Sequence, residues 1–268
     1  MSSRADLFSP DVIAELRWLQ DRVPPFSFRH VRTILERELG APLESRFREF
    51  AELPIAAGSV AQVHRAVLAN GDEVAVKILR PGVLTRVRRD GRIMLWAAHL
   101  AHAMSARARA ADVVGHVRNL IAGILAQTDL RRERTNYEQF RRNFAGTQGI
   151  YFPTVDRAHS TRSMLTMEMI HGVRLEDAAH AHLPKAAEVI RTSFFSMCFD
   201  HGFVHADLHP GNVLIRDDGV VVVLDVGLVK RLPRGLLAQI VEFTQCIAIG
   251  TAIDLVAHLK RHHRYLAG

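Results

Sequence analysis

A short polar segment in the last third of the chain constrains the fold more than any other feature. Residues 205–212 read His-Ala-Asp-Leu-His-Pro-Gly-Asn, which places Asp207 and Asn212 on one loop. An apolar run, a turn at 216–219 and a second apolar run follow, and Asp225 comes directly after them. This order predicts a polar loop, a β-hairpin and a second loop that begins with a carboxylate.

These residue types suit phosphoryl transfer. One carboxylate can orient the attacking hydroxyl, while an amide and a second carboxylate hold the metal ions that bridge the nucleotide phosphates. The interval of five residues from Asp207 to Asn212 equals the interval in the catalytic loop of protein kinases. The competing interpretation is a His-rich surface turn followed by a core hairpin. We disfavour it because several independent positions would have to coincide by accident.

A lysine and a glutamate complete the set. Lys77 lies in the strand-like run Val-Ala-Val-Lys, where a lone buried ammonium would be costly. Glu133 shares one predicted helix face with Leu130, Tyr137 and Phe140, where an unpaired carboxylate is disfavoured. A Lys77–Glu133 ion pair would satisfy both groups. A surface-pointing strand lysine and a glutamate at the edge of the apolar stripe are the alternatives.

The rest of the chain predicts an α+β protein with a strand-rich part and a helix-rich part. Residues 10–50 show helical spacing, with Ser27 able to cap the second helix and a stop at 39–42. Two strands, 62–68 and 73–79, flank the hairpin signal Asn70-Gly71. Residues 84–146 predict long helices, and residues 151–169 predict extended chain. Helices are also predicted over 186–201 and after Pro233.

The amino-acid composition limits the class of protein, its binding partners and its cellular compartment. Nearly half of the 268 residues are hydrophobic, which is typical of a globular protein. The net charge is +7, but aromatic residues do not interleave with the arginines, so we expect no nucleic-acid partner. Two cysteines without a CxxC spacing indicate a reducing compartment, and the histidines lack metal-ligand spacing. No apolar leader is visible at the N-terminus, and the stretch 236–259 is too polar for a bilayer span.

The motifs together resemble those of the UbiB, or aarF-domain, family of atypical kinases. The resemblance rests on segments that span the chain from about residue 4 to the mid-230s. They are the alanine-rich stretch 56–64, the strand 74–77 that ends in Lys77, Arg132-Glu133, Met167-Glu168, the loop 205–212 and Asp225-Val226-Gly227. The resemblance implies a bilobal protein-kinase-like fold with a helical N-terminal extension.

The resemblance also implies roles for individual residues. Asp207 would be the catalytic carboxylate, Asn212 and Asp225 would be Mg²⁺ ligands, and Lys77, oriented by Glu133, would contact the phosphates of ATP. An alanine-rich loop would replace the glycine-rich loop of protein kinases, and the backbone of the hinge would meet adenine. The loop residues are Ala56, Ala57, Gly58 and Ser59, and the hinge residues are Glu168 and Ile170. From the residues alone, the loop is equally consistent with a plain tight turn.

Three departures from the family pattern set further expectations. The family's upstream K-x-G-Q motif is missing, Gln127 stands where the first acid of E-x-D is expected, and only about forty residues follow Asp225. The sequence therefore predicts a chain truncated at both ends, with a shortened helical C-lobe. We divide it into a helical N-terminal extension (1–52), a kinase-like N-lobe with inserted helices (53–170) and a partial C-lobe with the catalytic loop (171–268).

The function that the resemblance implies is an ATP- and Mg²⁺-dependent atypical kinase or ATPase that supports ubiquinone or isoprenoid-lipid metabolism. Its implied partners are a nucleotide, a lipid-like substrate, and a membrane surface or proteins of quinone biosynthesis. The expected location is the cytoplasm, at the periphery of the inner membrane. Two alternatives stay open: a small-molecule phosphotransferase of the aminoglycoside or choline kinase type, and a non-catalytic nucleotide-binding scaffold.

Overall fold

A computed structural model describes residues 24–248. The strands are β1 (Phe47–Phe50), β2 (Ala56–Ala57), β3 (Ala61–Leu68), β4 (Glu73–Leu79), β5 (Ile150–Tyr151), β6 (Val155–Asp156), β7 (Met164–Glu168), β8 (Val173–Arg174), β9 (Phe203–His205), β10 (Val213–Ile215), β11 (Val221–Val223) and β12 (Val229–Arg231). The helices are α1 (Phe28–Leu39), α2 (Val83–Met104), α3 (Ala106–Ala110), α4 (Val113–Ala126), α5 (Leu130–Asn143), α6 (Leu183–Phe199) and α7 (Arg234–Ala248). The helix predicted near residue 10 lies outside the described residues.

An antiparallel sheet forms the first half of the molecule, with the strand order β1-β3-β4-β7-β6 and β2 paired to β3. The β3–β4 hairpin turns at Asn70-Gly71, where Gly71 has a φ of +93° that glycine adopts without strain. Its register places Val63 opposite Lys77. The sequence therefore predicted this hairpin correctly, and the α+β class is confirmed.

Helix α1 covers one face of this sheet. Val31 and Leu35 are fully buried against sheet residues that include Val76 and Met164. The helix ends at Gly40, whose φ of +64° is the left-handed conformation expected at a helix C-terminus. Ser27 occupies the N-cap position, but its hydroxyl contacts His30 Nδ1 instead of a helix amide, so the predicted cap bond does not form.

The helical prediction over 10–50 is wrong at its end, because Phe47–Phe50 forms strand β1. Phe47 is buried, and its ring packs edge-on against Phe50 at 5.3 Å between ring centroids. Pairing with β3 satisfies the backbone, with a register shift between Phe47 and Glu49. Burial of Phe47 and its packing against the partly buried Phe50 at a sheet edge therefore outweigh local helical spacing. The segment 1–52 consequently contributes a strand to the main sheet as well as a helix.

Helices α2 to α4 are inserted between β4 and α5, as the long breaker-free stretch predicts. Helix α5 is amphipathic, and Leu130, Glu133, Tyr137 and Phe140 form its buried face. Phe140 stacks on Phe152 with ring centroids 4.8 Å apart. This face belongs to a second core that also contains Met197 and Phe203 from the second half of the molecule. Helix α5 thus joins the two halves.

The second half carries the predicted polar hairpin. Strands β10 and β11 pair antiparallel, flanked by β8 on one side and by β5, in parallel, on the other. Strands β9 and β12 form a separate antiparallel pair that holds the loop after His205. The predicted extended segment 151–169 is interrupted, because a turn region separates β6 from β7. Helix α7 begins at Arg234, directly after Pro233.

Candidate active site

Lys77, Glu133 and Asp225 form a charged triad between the two halves. Lys77 Nζ donates to both carboxylate oxygens of Glu133, at 2.8 and 2.9 Å, and to Oδ2 of Asp225 at 2.9 Å. The side chain of Glu133 is only 4% exposed and that of Lys77 14%, whereas that of Asp225 is 41% exposed. One ammonium therefore serves a buried carboxylate and a solvent-accessible carboxylate. The sequence predicted the first partner and missed the second.

Two carboxylates and one ammonium shift each other's protonation. Burial raises the pKa of Glu133 to about 7, against the attraction of Lys77, and the charge of Asp225 adds to the rise. Burial would lower the pKa of Lys77, but Asp225 and Glu133 outweigh it and raise this pKa. Burial opposes ionisation of Asp225 too, yet Lys77 lowers its pKa to about 2. Asp225 is therefore ionised, and Glu133 is the group that titrates near neutral pH.

Helix α5 positions this triad through hydrogen bonds to the backbone on both sides of Asp225. Asn136 Nδ2 donates to the carbonyl of Val226 at 2.8 Å, and the hydroxyl of Tyr137 donates to the carbonyl of Leu224. Both donors lie within one turn of Glu133, so the same helix face fixes Glu133 and the backbone on either side of Asp225.

The loop after β9 brings Asp207 and Asn212 to the same place. His205 is buried and neutral, because burial lowers its pKa. Its Nδ1 accepts from the amide of Asp207 at 3.1 Å, so its Nε2 carries the proton that it donates to the carbonyl of Asp225. Asn212 Nδ2 donates to the carbonyl of Asp207 at 3.3 Å. The side chain of His205 thus ties the two acidic segments together.

The charged triad lines one cavity of about 620 Å³ together with Asp207 and Asn212. Its lining includes the alanine-rich segment and the predicted hinge segment 167–170. Asp207 is exposed and Asn212 is half-buried, and both residues line this space. The site residues predicted from sequence that line the cavity are Ala56, Ala57, Gly58, Ser59, Lys77, Glu133, Glu168, Ile170, Asp207, Asn212 and Asp225. The structure therefore brings together the whole predicted set.

The donor chemistry fits a magnesium ion. Asp225 lines the cavity, and its Oδ1 accepts from the amide of Gly227 at 2.8 Å, which fixes the carboxylate. The side-chain nitrogen of Asn212 donates to the carbonyl of Asp207, so Asn212 Oδ1 is the side-chain atom left for a cation. The amide of Leu224 donates to the carbonyl of Asn212 at 2.8 Å, which keeps Asn212 close to Asp225, the residue after Leu224. Two oxygen donors leave room for the phosphate oxygens and waters that Mg²⁺ retains.

Comparison with known proteins decides the family. A family model described as "ABC1 atypical kinase-like domain" matches residues 18–253. The chain belongs to this family. The resemblance drawn from the motifs is confirmed, because curated relatives carry the name "Probable protein kinase UbiB".

Two relatives and one solved structure show the extent of the match. The Marinobacter nauticus relative is 38% identical over 87% of this chain and 44% of its own length. The Azotobacter vinelandii relative is 37% identical over 100% of this chain and 49% of its own length. The complex of Rv3197 with erythromycin from Mycobacterium tuberculosis superposes with a TM-score of 0.75 at 26% identity, over 97% of this chain and 66% of that chain. This ABC1 domain spans about half the length of the curated relatives it matches.

Gln62, which belongs to the family's loop motif, has a structural place in this ABC1 domain. Its buried amide accepts from Phe26 N at 3.0 Å and donates to Phe26 O at 3.3 Å. Its Nε2 also lies 2.8 Å from His64 Nε2, and His64 Nδ1 bonds the carbonyl of Ala51. Gln62 therefore fastens the chain before α1 to the main sheet. No periodicity in the sequence signals this contact.

The predicted hinge segment of this ABC1 domain is also held by residues that lie outside the cavity lining. Glu168 Oε2 accepts from the hydroxyl of Tyr151 at 2.6 Å and from the amide and hydroxyl of Thr154 at 3.1 and 2.9 Å. The amide of Glu168 donates to Thr154 O at 2.9 Å. The amide of Glu168 is therefore already paired within the protein and is not available to a ligand.

One departure from the family pattern falls on a described residue beside the cavity. Gln127 lines it. Asp129 caps helix α5 by accepting from the amide of Arg131 at 3.2 Å, and the guanidinium of Arg131 binds the same carboxylate. Asp129, which corresponds to the second acid of E-x-D, is therefore hydrogen-bonded to its own helix. Among residues 24–248, no helix combines the length and the apolar character needed to cross a bilayer.

Proposed function

We propose that this ABC1 domain binds ATP with Mg²⁺ and transfers or hydrolyses its γ-phosphoryl group, in support of ubiquinone or isoprenoid-lipid metabolism. The observation that carries the proposal is the Lys77–Glu133–Asp225 triad, which shares one cavity with Asp207 and Asn212. A buried lysine held by two acids, beside an exposed acid and an amide, meets the requirements of phosphoryl transfer.

Each side chain has a distinct task in this proposal. Lys77, held in place by Glu133, binds the phosphates of the nucleotide, and the carbonyl of Glu168 and the amide of Ile170 contact adenine. Asp225 and Asn212 hold magnesium, which when bound neutralises the charge of the phosphates. Asp207 accepts a hydrogen bond from the attacking hydroxyl, of a lipid-like acceptor or of water, and orients it toward the γ-phosphorus.

The biological setting in the proposal comes from the relatives. Their name, "Probable protein kinase UbiB", supports a place beside proteins of quinone biosynthesis. We propose the cytoplasmic periphery of the inner membrane as its location. We also propose the lobe division at residues 52/53 and 170/171, since the cavity is lined from both sides of residue 170.

The test is nucleotide-dependent stabilisation of the whole chain. ATP with Mg²⁺ at about a hundred times Kd should stabilise the chain by about 2.7 kcal/mol, and chelation should remove most of this gain. Asp225→Asn should lose the gain with Mg²⁺ present, because it removes a charge that faces the metal. Asp217→Asn is the matched control, since Asp217 is exposed in the hairpin turn and lies outside the cavity lining. Equal stabilisation of Asp225→Asn and Asp217→Asn would refute the metal assignment.

A further inference from the structure

Arg80, directly after β4, contacts the alanine-rich loop through both its backbone and its side chain. Its amide donates to the carbonyl of Val60 at 2.8 Å. Its Nε donates to the carbonyl of Gly58 at 2.7 Å. The loop is also closed internally, because the amide of Gly58 donates to Ala61 O at 2.8 Å. One residue outside the cavity lining therefore holds two carbonyl groups of a segment that lines it.

The other arm of Arg80 reaches the chain before α1. Nη2 donates to the carbonyl of Pro24 at 2.8 Å, and the guanidinium lies 5.6 Å from the ring centroid of Phe26. Phe26 is itself fixed by its two hydrogen bonds to the buried amide of Gln62. In the described part of the chain Arg80 has no carboxylate partner, so its hydrogen bonds go to these carbonyls. A planar guanidinium suits such a bridge because its donors point in fixed, divergent directions.

Anchoring the Gly58 carbonyl has a geometric consequence for the next amide. Residues 24–248 contain no cis peptide bond, and in a trans peptide the C=O and N–H groups point in opposite directions. The N–H of Ser59 therefore points away from Arg80. Ser59 lines the cavity, and in the described residues its amide donates to no protein group. An amide held in this way is suited to donate to an anionic oxygen.

We propose that Arg80 is a positioning residue that orients the Gly58–Ser59 peptide, so that the amide of Ser59 donates to a nucleotide phosphate. The segment Pro24–Phe26, fixed by Gln62, holds Arg80 in the orientation that this requires. The inference rests on the proposed nucleotide site and adds to it the means by which a loop without the glycine-rich pattern presents an amide to phosphate.

The decisive test compares how Arg80 variants bind ATP, which has phosphates, and adenosine, which has none. Arg80→Ala should weaken binding of ATP with Mg²⁺ by about tenfold, the worth of one hydrogen bond to a charged group, and should change adenosine affinity by less than about twofold. Arg48→Ala is the control, because Arg48 is an exposed arginine on β1 of the same sheet and should leave both affinities unchanged. Equal losses for ATP and adenosine would mean general damage and would overturn the proposal.

Arg80→Lys separates positioning from charge. Lysine keeps the positive charge but cannot bind two diverging carbonyls with a rigid fork, so its ATP affinity should fall nearly as far as that of Arg80→Ala. Wild-type affinity in Arg80→Lys would show that charge alone matters. Phe26→Ala should weaken ATP binding in wild type and add little in Arg80→Ala, because both act through one bridge. Additive losses would exclude that coupling.

Hydrogen exchange of the nucleotide-free chain tests the bridge without any ligand. Arg80→Ala should speed exchange in peptides covering residues 56–61 several-fold, while the β3–β4 hairpin keeps wild-type protection. Unchanged exchange there would overturn the role of Arg80 even if nucleotide binds. A wild-type chain that binds neither ATP nor adenosine, yet shows the expected exchange, would instead refute the proposed function and confine Arg80 to holding the loop.

Discussion

Removing the ammonium of Lys77 is the perturbation whose outcome the structure defines most closely. Lys77→Met keeps the length of the side chain but leaves Glu133, which is 4% exposed, without its partner. Asp225 also loses its partner, but at 41% exposure water can replace the lysine there. The cost in folding stability should therefore come mainly from Glu133.

The expected cost has both a size and a pH dependence. Breaking a buried ion pair by removing one partner costs about 3–5 kcal/mol at a pH where the remaining group would be charged. The wild-type pKa of Glu133 is about 7, above its ordinary value of 4.5, so this group makes the fold less stable as pH rises from about 4.5 to about 7 and adds no further pH dependence above that range. Loss of Lys77 raises that pKa further. The additional deficit therefore develops above pH 7 and reaches about 2 kcal/mol by about pH 8.5.

Urea unfolding of the nucleotide-free chain at pH 5.5 and pH 8.5 measures both quantities. Lys77→Met should show the larger deficit at pH 8.5. Lys77→Met with Glu133→Gln should recover most of it and lose the pH dependence, because no buried carboxylate is left to ionise. Arg65→Met is the matched control, since Arg65 pairs with Glu73 across the same β3–β4 hairpin on the exposed surface, where ion pairs contribute little.

Two results would refute this reasoning. If Lys77→Met cost no more than Arg65→Met, Glu133 would not be buried against Lys77. If the deficit were equal at the two pH values, Glu133 would not be the group that titrates. Either result would remove the charged triad from the proposed phosphate site.

Three further changes test other parts of the site. Asp207→Asn should keep ATP affinity within about twofold, because this carboxylate acts on the nucleophile and not on the bound phosphates. It should reduce steady-state phosphate release or transfer by about a hundredfold or more. Unchanged turnover would exclude Asp207 from the mechanism. Gly227→Ala should weaken Mg²⁺-dependent ATP binding in calorimetry, since its Cβ would lie 3.1 Å from Asp225 Oδ1, whereas Gly123→Ala, with open space around its Cβ, should not. His205→Ala should weaken the same binding, because it removes the bridge between Asp207 and Asp225; wild-type affinity would show that the two segments hold each other without it.

The sequence determines the local elements wherever one signal dominates. Asn70-Gly71 can adopt the turn that joins two strands, so the β3–β4 hairpin lies where the pattern predicts. The left-handed Gly40 ends α1 for a similar reason. At Phe47–Phe50 the helical spacing of apolar residues predicts the wrong element. Strand pairing with β3 is a contact between distant parts of the chain, which local periodicity does not encode. Short strands such as β5 and β8 carry too few residues to show a period.

For the site, the chain by itself determined which residues belong together, and the tertiary structure decided how they are joined. Lys77 and Glu133 could be paired in advance because each would be costly to bury alone. That Asp225 shares the same ammonium, that His205 bridges two backbones, and that Arg80 reaches Gly58 and Pro24 are facts of packing. Their partners lie 148, 20, 22 and 56 residues away in the chain, and only folding brings such groups within hydrogen-bonding distance.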